Sequence, residues 1–228
     1  MNSPETTIII ASKNEAKNLR ELLPELKKRG WSDILVVDGH STDETPELCR
    51  EYGVNRIVDE GRGKGNAVRM GIQAAKTRWV LLMDADGSHV VDDIPLLLEP
   101  LTSGQSDLVV ASRLLGGSSE LHGGFDEFLR LSGSSFITAC INYKYKVRLS
   151  DSQNGYRAGC REKLIALGMV EDSTTIEQEM LFKALARGMR VSEVPSHEFP
   201  RRHGESHIKL RRVFVRYVFS LMKNYFFT

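Results

Sequence analysis

Trp79-Val80-Leu81-Leu82-Met83-Asp84-Ala85-Asp86 is an apolar run that stops on two carboxylates. Its length and composition suit a buried strand. At i and i+2 of an extended segment both Asp side chains leave on one face. Adjacent like charges raise each other's pKa unless a cation lies near them. Carboxylates are the preferred ligands of hard divalent ions, and Mg²⁺ typically takes one or two of them together with substrate phosphates. The segment therefore reads as a metal–diphosphate site. The alternative is a plain turn in which Asp86-Gly87-Ser88 merely ends the strand.

Outward from this strand, the first half of the chain alternates two periodicities. Thr6–Ala11, Ile34–Val37, Arg56–Val58 and Asp107–Ala111 read as further strands. Between them, Asn14-Glu15 opens a helix with Leu19, Leu22, Leu23 and Leu26 on one face, closed by Gly30. A second helix follows Ser41-Thr42, and a third carries Val68, Ile72 and Ala75. This βαβα series predicts an α/β fold, a mostly parallel sheet with helices on both faces. In such sheets ligands collect beyond the carboxyl ends of the strands. Ser12–Glu15, Asp38–Asp43, Gly63–Gly65 and Asp84–His89 all follow strands, so all four are expected on one rim. Further on, Gly116–Ser119 and Gly123-Gly124 read as a mobile loop, Phe125 to about Tyr143 as helical, and Asp151–Arg157 as a polar turn. Thr175–Arg187 reads as a helix and Met189–Val194 as a last strand.

The 228 residues suit one large domain, with no linker dividing residues 1–228. Thirty-one basic residues against thirty acidic ones leave a net charge of +1, so nothing points to nucleic acid. The balance is uneven, however: from Arg201 onward there are seven Lys/Arg and one acid, Glu205. Three scattered cysteines fit neither a disulfide framework nor a zinc site, and the first residues show no secretory pattern. A cytoplasmic protein, peripheral at the membrane face, is expected.

The motifs Ala11-Ser12-Lys13-Asn14-Glu15, Val37-Asp38-Gly39-His40-Ser41-Thr42-Asp43, Gly63-Lys64-Gly65-Asn66-Ala67, Asp84-Ala85-Asp86 and Ser112-Arg113 occur in the order and spacing of inverting GT-A glycosyltransferases of family 2. Asp151, Gly155-Tyr156-Arg157 and Arg201-Arg202-His203-Gly204-Glu205-Ser206 make the chain resemble dolichol-phosphate mannose synthases and related polyprenyl-phosphate hexose synthases. The resemblance implies transfer of a hexose, mannose from GDP-mannose first among them, to dolichyl or polyprenyl phosphate. A UDP-sugar donor and a glycan hydroxyl acceptor are the alternatives. It also implies Mg²⁺ or Mn²⁺ as cofactor, held by Asp86 and Ser88, with Asp84, Asp86 and Arg113 as the catalytic set. By the same resemblance Ala11, Lys13, Glu15, Asp38, Lys64, Asp84, Ala85, Asp86, Arg113, Arg201 and His207 bind the nucleotide sugar, with Glu15 near the ribose and Asp38 at the base. Ser88 stands where these synthases carry a glutamine, Gly39 where a second aspartate is usual, and His207 where the flap has a lysine.

A lipid monophosphate is already an anion and attacks without a base, whereas a hydroxyl acceptor needs a carboxylate such as Glu177 or Glu179. Those two residues equally suit the first turn of a helix, where acids complement the dipole. At the C-terminus, residues 208–228 form a basic amphipathic helix, with Lys209, Arg212, Arg216 and Lys223 in one stripe beside Tyr217, Leu221 and Tyr225. That pattern suits a helix lying on a membrane surface. It also suits one packed on the sheet or on a second subunit of a homo-oligomer.

Overall fold

Alternation along Thr6–Ser12 sorts the core into two layers. Ile8 and Ile10 share one buried layer with Leu19, Leu22 and Leu97, and Ile9 shares the other with Val68, Ile72 and Leu181. The computed structural model describes residues 5–119, 125–204 and 210–228. Its strands are β1 (Thr6–Ser12), β2 (Ile34–Asp38), β3 (Asn55–Val58), β4 (Trp79–Asp84), β5 (Leu108–Ser112), β6 (Arg157–Cys160) and β7 (Val191–Pro195). The helices are α1 (Ala16–Lys28), α2 (Thr45–Glu51), α3 (Lys64–Ala74), α4 (Ile94–Thr102), α5 (Arg113–Gly116), α6 (Phe125–Tyr145), α7 (Arg161–Ala166), α8 (Ile176–Ala186) and α9 (Leu210–Phe227).

The strands form one sheet in the order β3-β2-β1-β4-β6-β5-β7. Register aligns their ends: Ser12 pairs with Asp38, Ala11 with Asp84, and Asp38 with Val58. The polar segments after β1, β2, β3 and β4 therefore emerge side by side, as the α/β pattern predicts.

One strand departs from that pattern. β6 runs antiparallel between β4 and β5, where the polar turn expected at Asp151–Arg157 gives way to a strand at its last residue. Arg157 is fully buried and donates to the backbone oxygens of Ser152 at 2.7 Å, Asn154 at 2.7 Å and Glu177 at 2.6 Å. Burial lowers its pKa to about 10, which still leaves it charged at neutral pH. Arg157 thus ties the 151–156 turn to the start of α8 and is not a phosphate ligand. The loop expected at Gly116–Ser119 is also pinned: Ser119 N donates to Glu198 O at 2.9 Å, and Glu198 N to Gly117 O at 3.1 Å. Gly123-Gly124 lies outside the described residues.

α9 packs on α6 and α8 through Tyr217, Leu221 and Tyr225. Val215, Phe219, Met222 and Phe226 form a second apolar face, which is exposed. Of the expected basic stripe, Arg216 is exposed and Lys223 pairs with Glu171 at 3.1 Å. Lys209 and the Arg212 side chain lie outside what is described. Among the described residues no helix is long and apolar enough to cross a membrane.

Replacing Arg157 with Leu orphans three buried carbonyls, each costing about 1–3 kcal/mol. Urea unfolding of Arg157→Leu should show a loss of about 3 kcal/mol or more. A loss under about 1 kcal/mol would mean that the turn is held by something else.

Candidate active site

The aligned strand ends open into one cleft of about 610 Å³. Of the residues expected to bind a nucleotide sugar, Ala11, Lys13, Glu15, Lys64, Asp84, Ala85, Asp86, Arg113 and Arg201 line it, and so does Ser88. Asp38 does not. It is fully buried and accepts from Arg56 Nε at 2.8 Å and NH2 at 2.6 Å, and from the Ser41 amide at 2.9 Å. Asp38, expected at the base, has its carboxylate engaged in holding β2 to β3 and in shaping the loop that follows. His207 lies outside the described residues.

Three groups meet at the floor. Lys64 Nζ lies 2.6 Å from Asp84 Oδ1 and 2.9 Å from Glu177 Oε1. Burial would raise the Asp84 carboxyl, but Lys64, with His89 and Arg201, outweighs it and holds the group below its usual range. Burial would likewise depress the Lys64 ammonium, and the two carboxylates instead push it above its ordinary value. Gly63-Lys64-Gly65 is therefore no phosphate cradle. Gly65 N and Asn66 N donate to Asp172 O, and a Cβ on Gly65 would stand 2.4 Å from Glu171 O. The glycines let α3 close on the 171–173 backbone, and the lysine reaches inward from there.

Asp86 is disposed differently. Its Oδ1 accepts from the Ser88 hydroxyl at 2.7 Å and the Ser88 amide at 3.1 Å. Its Oδ2 faces Arg201 NH2 at 3.5 Å, beyond a good hydrogen bond. Arg201 NH1 in turn binds Glu15 at 2.7 and 2.9 Å. The segment carrying Arg201 lies along the Asp84–His89 loop, with Phe199 N donating to Ser88 O at 2.9 Å and Arg202 N to Asp86 O at 3.0 Å. Arg202 crosses over Gly87 (φ 75°), where a Cβ would meet its side chain at 2.7 Å, and continues to Glu25 at 2.9 Å. Arg113 is bound to Asp151 through Nε at 2.6 Å and lies 3.4 Å from Glu198.

The cleft wall carries Glu15, Asp59, Asp84, Asp86, Asp151, Glu177 and Glu198 against Lys13, Lys64, Arg113 and Arg201. Among the described residues it is thus an acidic surface, unfit to receive a diphosphate unless a cation enters with it. No group of three or more His, Cys, Asp or Glu side chains is arranged to cage a metal among the described residues. Asp86, a partly exposed carboxylate that Arg201 faces only at 3.5 Å, with a hydroxyl beside it, fits an ion that completes its shell with phosphate oxygens and water. Asp59 and Glu198 are wall residues that sequence reasoning missed, and neither stands in a motif read as chemical. Asp151, read from the sequence as part of the polar turn with no role in the site, is a third, held against Arg113.

The two ends of the cleft differ. Beyond β1–β3 the wall is polar and glycine-rich, with Lys13, Gly39, Asp59, Gly61 and Gly63. Toward α6 and α9 it is apolar, with Leu129, Leu131, Phe136, Ile137, Val218 and Leu221. Leu129, Phe136 and Val218 are exposed, so this wall runs on to the outer apolar face of α9.

A mostly parallel sheet whose strand ends hold an Asp-x-Asp pair over a cleft of this kind defines a GT-A glycosyltransferase. The chain belongs to glycosyl transferase family 2, whose profile matches residues 7–163. It is 31% identical over 206 residues to glycosyltransferase AglJ of Haloferax volcanii, covering 90% of this chain and 66% of that protein. It is 29% identical over 230 residues to a dolichol-phosphate mannosyltransferase of Pyrococcus furiosus, covering 96% of this chain and 64% of the relative. The chain thus spans slightly under two thirds of either relative's length. Glucosyl-3-phosphoglycerate synthase from Mycobacterium tuberculosis, solved with Mn²⁺, UDP-glucose and phosphoglyceric acid, superposes with a TM-score of 0.74 at 18% identity, over 98% of this chain and 80% of that one. At that identity the likeness concerns the fold.

Removing the Lys64 ammonium leaves the burial of Asp84 without its main opponent, so the carboxyl pKa should rise in Lys64→Met. A folded state that holds a proton the unfolded state releases loses stability as pH rises. Stability of Lys64→Met in urea unfolding should therefore fall as pH rises from about 4 until the raised pKa is passed, by about 1.4 kcal/mol per unit of raised pKa. Parallel pH profiles for variant and wild type would contradict the bridging role.

Proposed function

We propose that this chain transfers a hexose from a nucleoside-diphosphate sugar to the phosphate of a polyprenyl lipid, working at a membrane surface. The observation that carries the reading is the two-ended cleft, polar beyond β1–β3 and apolar between α6 and α9, with Asp84 and Asp86 between them. A donor nucleoside suits the first end and a lipid chain the second, so the reacting atoms meet at the carboxylates. The chemical precedent in the relatives points the same way, since one is named for transfer to dolichol phosphate.

In this reading an acceptor phosphate oxygen attacks the anomeric carbon from the face opposite the diphosphate. The bond from that carbon to the β-phosphate oxygen breaks, its electron pair leaves with the nucleoside diphosphate, and configuration inverts. No proton moves, so no base is needed. A divalent ion on Asp86 and Ser88 would supply Lewis-acid stabilisation and orientation of the leaving diphosphate. Arg201 is poised to exchange its hold on Glu15 and Asp86 for phosphate oxygens, which its forked donors match. Lys64 keeps Asp84 ionised and fixed beneath the sugar. Arg113, held by Asp151, presents a rigid cation toward the α6 side, where the acceptor phosphate would arrive.

One observation favours a hydroxyl acceptor instead. Glu177 lines the cleft, and its Oε2 is buried without a hydrogen-bond partner among the described residues. Glu179 cannot serve there, because its carboxylate accepts from the amides of Val170 and Glu171 and pairs with Lys183 at 2.7 Å.

Purified protein with Mn²⁺ or Mg²⁺ and a panel of labelled GDP- and UDP-hexoses should transfer label to dolichyl or polyprenyl phosphate. EDTA should stop the reaction and added Mn²⁺ restore it, and Asp86→Asn should cut kcat/KM by 100-fold or more, equivalent to about 2.7 kcal/mol. Label entering only hydroxyl acceptors, and lost in Glu177→Gln, would replace the lipid-phosphate reading with the hydroxyl one. The membrane half is tested separately. Phe219→Ser/Phe226→Ser should reduce sedimentation with anionic lipid vesicles several-fold while leaving the circular dichroism spectrum intact, and unchanged sedimentation would remove α9 from the membrane contact.

A further inference from the structure

We infer that Asp59 reads the nucleobase of the donor, accepting a hydrogen bond from a ring N–H of the kind flanked by a carbonyl, as in uracil or guanine. The inference rests on the donor half of the function proposed above.

Asp59 follows β3 and lines the polar end of the cleft, yet its side chain is only 3% exposed. The carboxylate is rigidly held. Its Oδ1 accepts from Gly61 N at 2.7 Å, its amide donates to Asp38 O at 3.0 Å, and its carbonyl lies 2.9 Å from His40 Nε2. Its Oδ2 has no hydrogen-bond partner among the described residues, although the side chain is nearly buried. An oriented carboxylate oxygen at the cleft wall with no donor among the described residues is open to accept one from the ligand. Asp38 cannot supply this contact, because Arg56 and the Ser41 amide occupy it. Gly39 lines the same end of the cleft and presents no side chain there; a Cβ would stand 3.3 Å from Lys13 Cβ. The bases that complement Oδ2 are therefore those with a lactam N–H. Cytosine and adenine present a bare ring nitrogen at the corresponding edge, and its lone pair would face the carboxylate.

Titration calorimetry with wild-type protein and Mn²⁺ tests this without any mutation. UDP or GDP should bind at least ten-fold more tightly than CDP and ADP, and the tighter of the two identifies the base. If it is UDP, methylation at uracil N3 should cost ten-fold or more; if GDP, methylation at guanine N1 should do the same. Asp59→Asn keeps an acceptor for Gly61 N and turns the open atom into a donor. It should weaken the preferred nucleotide by ten-fold or more and raise CDP relative to it. Equal affinity for the methylated and unmethylated nucleotides, or for CDP and UDP, would overturn the role of Asp59 while the transferase reading stands. Failure of every nucleoside diphosphate to bind would overturn both.

Discussion

Lys64 brings one ammonium to two carboxylates, and the floor of the cleft is organised around that contact. Asp84 ends β4, Glu177 begins α8 and Lys64 opens α3, so a single cation joins three elements that are distant in sequence. A buried carboxylate without a partner is costly, and a partnered one is fixed in place. The consequence for chemistry is a division of labour within Asp84-Ala85-Asp86. In the proposed reaction Asp84, paired with Lys64, serves as structure beneath the reacting atoms. Asp86, oriented by Ser88 and only loosely faced by Arg201, would keep the coordinating capacity.

The second organising feature is the segment around Arg201 and Arg202, which lies across the Asp84–His89 loop and reaches α1. Its backbone bonds to Asp86 and Ser88 make the segment part of the wall. Its guanidinium, bound to Glu15 and facing Asp86, occupies carboxylates that a cation would otherwise engage and is itself held back from phosphate oxygens. Arginine thus occupies this part of the wall, and in the proposed reaction entry of a metal–diphosphate pair would exchange one set of ion pairs for another. Gly87 makes the crossing sterically feasible, since a side chain there would collide with Arg202.

Much of this was legible in the sequence because it is local. Apolar runs ending in polar residues mark both a parallel sheet and the rim where its ligand sits, and register then sets Ser12 beside Asp38 and Ala11 beside Asp84. What was not legible depended on pairings made across the fold. Asp38 carries the same signature as a ligand-facing residue, and only the neighbouring strand, which brings Arg56 to it, shows that it is occupied. Asp59 was passed over because nothing around it looks like a motif. Its position emerges from β3 lying beside β2. Gly63-Lys64-Gly65 resembles a phosphate loop in spelling, yet its glycines answer to the 171–173 backbone. Arg157 gave no local hint that a strand begins at a charged residue, since its partners are backbone carbonyls supplied by the fold.

The inserted antiparallel strand also governs the order in which the sheet is assembled on the ribosome. β5 has no neighbours in the sheet except β6 and β7, both of which follow it in the chain. β1 to β4 can pair as soon as they emerge, but Leu108–Ser112 must wait for residue 160 before its first strand partner is complete. At about 5–20 residues per second, that wait is roughly 2–10 s. During it an apolar strand has both edges open. The nascent chain thus passes through a state that is half a finished sheet and half an unpaired template, and holding β5 in check falls to α4 and to whatever chaperone meets the emerging chain.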